Sequence, residues 1–171
     1  MTNIKLARVD FRLMHGQVVT NWIKQVSADA ILIVDDKLAS DKFLAQVFLM
    51  AAPPGVKISI KSMKKAIQGA KENKYGGLKL LVLFKSIENA KKAYDNGFPL
   101  KELQIGGLGS GSDKAESDSD KIMISNEIFL SKEEANMLEE MNNNGLKITL
   151  QVTPKDPLVE LDEALKKVRD E

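Results

Sequence analysis

The chain has 171 residues, of which 43% are apolar and 29% are charged, so it is long enough to bury the core of one domain. Its 25 basic and 24 acidic side chains leave a net charge of +1, which argues against nucleic acid as a partner and gives no attraction toward anionic lipid. Cysteine is absent and histidine occurs once, which excludes disulfides, thiolate catalysis, cysteine-based zinc sites and metal sites built on several histidines.

The N-terminal segment 1–10 lacks the apolar region of a signal peptide. The longest apolar runs, such as 80–84, fall far short of the roughly 20 residues that a membrane-spanning helix requires. We therefore expect a cytoplasmic protein, with contact to a membrane made only through a partner.

Short apolar segments alternate along the whole chain with segments whose apolar residues recur every three or four positions. The short segments predict strands over 4–9, 30–34, 56–60, 80–84, 102–105, 122–124 and 146–152. The helical spacing predicts apolar stripes within 18–26 and 43–50, and a C-terminal helix over 158–170.

Capping residues indicate where several of these helices begin and end. Ser131 and Glu134 have the spacing of a capping box, and Gly145 follows the same helix. Ser86 is placed to cap the helix that follows it, and Gly97 is expected to end that helix.

Strands that alternate with helices of this length predict βαβ units. We expect a single α/β domain over 1–171, with a doubly wound, mainly parallel open sheet of about six to seven strands and helices on both faces. Segments 30–34 and 80–84 are apolar throughout, as in strands covered on both faces, whereas 56–61 and 146–152 alternate and indicate edge or near-edge strands. This pattern predicts a sheet that reverses direction after its third strand, with a ligand crevice beyond the carboxyl ends of the strands.

His15 lies where the first predicted strand leads into the first predicted helix, and the backbone N–H groups at such a junction can bind an anion. Gly16 permits a tight turn directly after it, and Gln17 begins the helix. Neutral imidazole is a competent nucleophile toward phosphorus, and the usual pKa of histidine, about 6.5, leaves it mostly neutral at physiological pH. The segment therefore predicts phosphate chemistry at His15, although a lone histidine is more often incidental.

Charged and apolar residues flank this histidine. Arg12 offers a forked donor to phosphate oxygens, and Asp10 is placed to hold Arg12. Arg8 either reaches the same crevice or is an ordinary solvated strand residue. Phe11 and Met14 either pack beneath the loop or form an apolar rim for a partner protein.

Two further segments have simpler interpretations. The run 106–120 is rich in glycine and polar residues and predicts a mobile loop, since it lacks the spacing of a phosphate-binding glycine motif. Asp35 and Asp36 follow the second predicted strand and are expected to cap a helix or to be solvated, with no metal bound.

The run 8–19, with its central His15-Gly16-Gln17, closely resembles the active-site segment of enzyme IIB subunits of the bacterial phosphotransferase system, in the mannose/fructose/sorbose family. Further resemblance to that family follows in order at Trp22, 31–36, 50–56, 83–85 and 105–107.

The resemblance implies a phosphocarrier, a protein-Nπ-phosphohistidine:sugar phosphotransferase. It implies that His15 accepts a phosphoryl group from a phosphohistidine of the IIA subunit and passes it to a sugar carried by the membrane subunits IIC and IID. It also implies that Arg12 and Asp10 serve the active-site loop. Because the phosphoryl group arrives already activated on nitrogen, no metal, nucleotide or other cofactor is expected.

Two alternatives stay open. The first is a regulatory domain without enzymatic activity that binds a nucleotide or flavin on a similar sheet, for which His15 would be dispensable. The second is a IIB chain that is phosphorylated only as a signal. The sequence leaves the sugar unspecified, and the apolar rim could equally serve a contact between copies in a homo-oligomer.

Overall fold

The structure, a computed structural model, describes residues 2–109 and 121–170. The strands in these ranges are β1 Asn3–Asp10, β2 Ala30–Val34, β3 Lys57–Lys61, β4 Lys79–Phe84, β5 Glu102–Gly107, β6 Ile122–Ser125, β7 Ile128–Leu130, β8 Lys147–Leu150 and β9 Val159–Glu160. The helices are α1 Gly16–Val26, α2 Asp36–Ser40, α3 Lys42–Met50, α4 Met63–Lys71, α5 Ile87–Asp95, α6 Lys132–Asn143 and α7 Leu161–Arg169.

Seven strands form one sheet in the order β3-β2-β4-β1-β5-β8-β9, parallel except for β9, which runs antiparallel to β8. The chain moves outward from β1 through β2 to β3, then returns to β4 beside β1 and continues outward on the other side to β5 and β8. This confirms the predicted reversal after the third strand and the predicted doubly wound α/β class. The edge position of β3 and the near-edge position of β8 are confirmed as well.

Helices cover both faces because the central strands are apolar on both. On one face, Leu83 of β4 packs in a cluster with Val19 and Ile23 of α1. On the opposite face, Phe84 packs in the larger cluster with Ile87 of α5. The loops that follow the adjacent strands β1 and β4 therefore leave the sheet toward opposite faces, which is the geometry of a switch point.

The predicted caps are confirmed. Ser131 and Glu134 form both hydrogen bonds of a capping box at the start of α6. Ser86 accepts a hydrogen bond at 3.1 Å from the amide of Asn89. Asp35 accepts one at 2.8 Å from the amide of Leu38, which confirms its capping role at α2.

The predictions for the C-terminal helix, the segment 122–124 and the start of the glycine-rich loop are wrong. The C-terminal helix begins at Leu161, not at 158, because Val159 and Glu160 pair with β8 as a short strand. The segment 122–124 does not join the main sheet, since β6 pairs with β7 in a separate hairpin. The glycine-rich loop was expected from 106, but Gly106 and Gly107 complete β5. The rest of that predicted loop, 110–120, lies outside the described residues, and the single domain over 1–171 stays a prediction.

The apolar stripe of α3 faces outward. Every residue of this helix is at least partly exposed, and Phe43 reaches 82% exposure. Periodicity alone did not show whether the stripe meets the sheet. Of the helices in the described ranges, none is long and apolar enough to cross a membrane.

Candidate functional site

The loop 11–15 joins β1 to α1 at the carboxyl end of a central strand. The amide of Phe11 donates to the carbonyl of Gly107 at 3.0 Å. The amide of Leu13 donates to the carbonyl of Asp10 at 2.9 Å. Leu13 adopts a left-handed backbone with φ of 57°, a conformation that costs a non-glycine residue roughly 1–2 kcal/mol. Its buried side chain offsets that cost by packing with α1. The loop therefore has a fixed path.

His15 is the N-cap residue of α1, with extended backbone angles of −126° and 93°. Its side chain is exposed and makes no capping hydrogen bond among the described residues. Gly16 follows with φ of 45°, which a glycine adopts without strain, and Gln17 is exposed in the first turn. No acidic residue occupies that turn. The imidazole thus lies free beside a helix N-terminus that favours negative charge.

Asp10 holds Arg12, as the sequence predicted. The Asp10 side chain is 1% exposed, and its Oδ1 accepts hydrogen bonds from the amide of Arg12 at 3.0 Å and from its Nε at 3.2 Å. The outer nitrogens of Arg12 are less engaged. Nη2 is buried and has no hydrogen-bond partner among the described residues, and Nη1 lies 3.5 Å from Oε2 of Glu127. Arg12 is therefore fixed at one edge of its guanidinium and has donors to spare at the other.

Arg8 is 2% exposed, so its interpretation as an ordinary solvated strand residue is wrong. Its guanidinium donates to the side-chain oxygen of Gln104, to the carbonyl of Gln151 at 2.9 Å and to the carbonyl of Val152 at 2.6 Å. Its Nη2 also lies 3.6 Å from Oδ2 of Asp10. Because these groups occupy its donors, Arg8 does not line the open side of the loop but supports Asp10 from beneath.

The pKa of Arg8 is lowered to about 10, chiefly by burial, with the charge of Arg12 acting in the same direction and that of Asp10 opposing it. The group stays cationic at neutral pH. Arg8 is therefore a buried cation beside the pair of Asp10 and Arg12.

Two glycines of β5 make room for this cluster. A Cβ placed on Gly106 would overlap the guanidinium of Arg8, and a Cβ on Gly107 would lie 2.9 Å from Oδ1 of Asp10. Within the described ranges, no group of three or more His, Asp or Glu side chains is arranged to hold a metal ion.

The family model described as PTS system sorbose subfamily IIB component matches residues 4–171. The chain belongs to this family of IIB components. It is 34% identical over 168 residues to the PTS system sorbose-specific EIIB component of Lacticaseibacillus casei. This alignment covers 96% of this chain and 98% of that relative. It is 25% identical to the PTS system mannose-specific EIIAB component of Escherichia coli K12, covering 96% of this chain and 49% of that longer relative.

Among solved structures, the IIBSor domain of the sorbose permease from Klebsiella pneumoniae superposes on this IIB chain with a TM-score of 0.84, at 29% identity. The superposition covers 95% of this chain and 96% of that domain. The recognition of the family from the residues around His15 is therefore confirmed, and so is a place in the sugar phosphotransferase system.

A cavity of about 840 Å³ lies at the other end of the sheet, against the beginning of β1 and β5, and its lining includes Lys5, Lys101 and Lys147. It does not coincide with the loop 11–15. The loop 11–15 itself lies at the surface and carries an exposed imidazole.

Sequence reasoning missed several residues of the site. In the sequence, Trp22 is only one member of a helical stripe and of the family resemblance. Gln104 stands as a polar residue between two apolar ones in β5, which was an available signal that it faces something polar. Glu127 carried no signal, because its partner is distant in sequence.

Trp22 links α1 to the segment after β8. Its ring lies 5.2 Å from the guanidinium carbon of Arg8, and its Nε1 donates to the carbonyl of Val152 at 2.9 Å. We expect Trp22→Phe to lower the free energy of unfolding by about 1–2 kcal/mol, because the carbonyl loses a part-buried donor and the ring becomes smaller. Urea denaturation followed by circular dichroism measures this, since the variant has no tryptophan fluorescence.

Tyr94→Phe is the matched control for this substitution. It removes a hydroxyl that donates to the carbonyl of Asn144, also at 2.9 Å, but in an exposed place, so its effect should stay below about 0.5 kcal/mol. An equal loss in both variants would contradict the linking role of Trp22.

Proposed function

We propose that this IIB chain is a phosphocarrier that accepts a phosphoryl group on a ring nitrogen of His15 and passes it to a sugar. The observation that carries the proposal is the exposed His15 ring, placed on the same short loop as Arg12, whose Nη2 is buried without a protein partner in the described part of the chain. A guanidinium with spare donors on the same loop as a nucleophile suits a group that brings negative charge.

The first transfer moves a phosphoryl group from nitrogen to nitrogen. The lone pair of a His15 ring nitrogen forms a bond to phosphorus while the N–P bond of the donor phosphohistidine breaks, and the donor nitrogen takes back that electron pair. In the second transfer, a sugar hydroxyl oxygen bonds to phosphorus, the N–P bond of His15 breaks, and the hydroxyl proton passes to a base. Because the phosphoryl group starts on nitrogen, neither step calls for a nucleotide or a metal.

The residues around His15 position and stabilise the transferred group. Arg12 offers Nη1 and Nη2 to its oxygens, while Asp10 fixes the Nε edge of the guanidinium. The exposed first turn of α1, at Gly16 and Gln17, adds backbone N–H groups and the positive end of the helix. Arg8 acts indirectly, because it holds Asp10 in place.

The donor that we propose is a phosphorylated IIA subunit or domain. The name of the Escherichia coli relative, a mannose-specific EIIAB component, supports a IIA partner, because it combines A and B parts in one chain. We further propose a cytoplasmic location, peripheral association with the membrane subunits IIC and IID, and a sugar as the final acceptor. The names of the relatives favour this phosphocarrier role over a nucleotide- or flavin-binding regulator.

The proposal is tested by incubating the purified chain with a IIA protein that carries radiolabelled phosphohistidine. We expect one phosphoryl group per chain, labile in acid and stable in base, located on the peptide that contains His15. Addition of membranes containing IIC and IID together with the sugar should discharge it. Failure to accept the label, or acid-stable label on another residue, would overturn the proposal.

A further inference from the structure

Glu127 lies in the turn of the hairpin formed by β6 and β7, and its side chain approaches Arg12 of the loop 11–15. The amide of Leu108 donates to the carbonyl of Glu127 at 2.9 Å, and the amide of Phe129 donates to the carbonyl of Leu108 at 3.0 Å. These bonds attach the hairpin to the chain directly after β5. Oε2 of Glu127 then lies 3.5 Å from Nη1 of Arg12.

Two carboxylates therefore share the guanidinium of Arg12, in different environments. Asp10 is 1% exposed and contacts the Nε edge, whereas Glu127 is 46% exposed and approaches Nη1 from the open side. The longer distance to Glu127 is that of an ion pair without a formed hydrogen bond. Asp10 is thus the buried, hydrogen-bonded partner of Arg12, and Glu127 is the exposed and weaker one.

We propose that Glu127 is a positioning residue that holds the Nη1 side of Arg12 while His15 is unphosphorylated and yields this place to the phosphoryl group. The inference rests on the proposed phosphocarrier function. A phosphoryl group on a protein side chain carries between one and two negative charges and strong acceptor oxygens, so it outcompetes a half-exposed carboxylate for Arg12. The released carboxylate then stays close to a group of like charge.

Glu127 consequently weakens the hold of the site on the phosphoryl group, both by competing for Arg12 and by repulsion. For a carrier this is useful, because a group bound too firmly is not passed on. Removing the charge should therefore increase retention of the phosphoryl group on His15 and slow its discharge.

The experiment equilibrates phosphorylated IIA with this chain and measures the distribution of label between the two proteins at several ionic strengths. For Glu127→Gln we expect the equilibrium to shift toward phosphorylated His15 by about two- to fivefold, the range that half-exposed ion pairs allow. The shift should shrink as salt is raised, since screening weakens both the ion pair and the repulsion. A purely structural role would not produce this salt dependence. Glu127→Ala also keeps the carbonyl that binds Leu108 and serves as a second neutral variant.

Glu102→Gln is the matched control. It removes a carboxylate that lies 3.8 Å from Nζ of Lys147, at the opposite end of β5, and it should leave the distribution unchanged. An unshifted Glu127→Gln, a shift toward IIA, a shift independent of salt, or an equal shift in the control would each overturn the role of Glu127. Absence of label from the wild-type chain would instead overturn the phosphocarrier function itself, so the two failures are distinguishable.

Discussion

Replacing His15 with Gln is expected to reduce phosphoryl acceptance to background while leaving the free energy of unfolding within about 0.5 kcal/mol of the wild type. The ring is exposed and makes no capping hydrogen bond among the described residues, so its loss removes little packing. No substitute nucleophile of the same kind exists, because the chain has one histidine and no cysteine. Transfer of label from phosphorylated IIA and urea denaturation measure the two quantities.

Gln25→Ala is the control for this substitution, because Gln25 is an exposed residue near the far end of the helix that His15 precedes. It should accept the phosphoryl group normally. Retained acceptance in His15→Gln would contradict the covalent role of the histidine. A large loss of stability in the same variant would contradict the free, solvent-facing ring seen in the structure.

Gly106→Ala is expected to destabilise the chain by about 3–5 kcal/mol, because it both overpacks the interior and displaces a buried charge from its partners. The added Cβ would overlap the guanidinium of Arg8. Arg8 cannot move aside without giving up Gln104 and the carbonyls of Gln151 and Val152. The free energy of unfolding from urea denaturation measures the loss.

Phosphoryl acceptance by the folded fraction of Gly106→Ala should fall as well, because a displaced Arg8 no longer supports Asp10. Gly76→Ala is the control: its Cβ would lie 2.9 Å from the side-chain amide of Asn73, which is exposed and free to rotate away. That substitution should cost less than about 1 kcal/mol. An unfolding midpoint for Gly106→Ala equal to that of the control would contradict the tight packing of Arg8 against β5.

The alternation of strands and helices was readable from the sequence because apolar periodicity reports which side of an element is buried. The bounds predicted for β2, 30–34, agree with the structure, since this strand is apolar throughout and is followed by Asp35. The capping box at Ser131 was predictable for a different reason, which is that its two hydrogen bonds join residues only three positions apart. The outward-facing stripe of α3 shows the limit of the method, since periodicity defines a face but does not identify its neighbour.

Within the site, the sequence by itself determined the family, the candidate nucleophile His15 and the pairing of Asp10 with Arg12. These features are local, and a contact between residues two positions apart follows from the course of one loop. The surroundings of Arg8 were decided only by the tertiary structure, because its partners lie 96, 143 and 144 positions away along the chain. The approach of Glu127 to Arg12 likewise depends on the attachment of a separate hairpin to the end of β5. Burial and charge pairing between distant segments arise only when the sheet brings their ends together, and no local pattern encodes them.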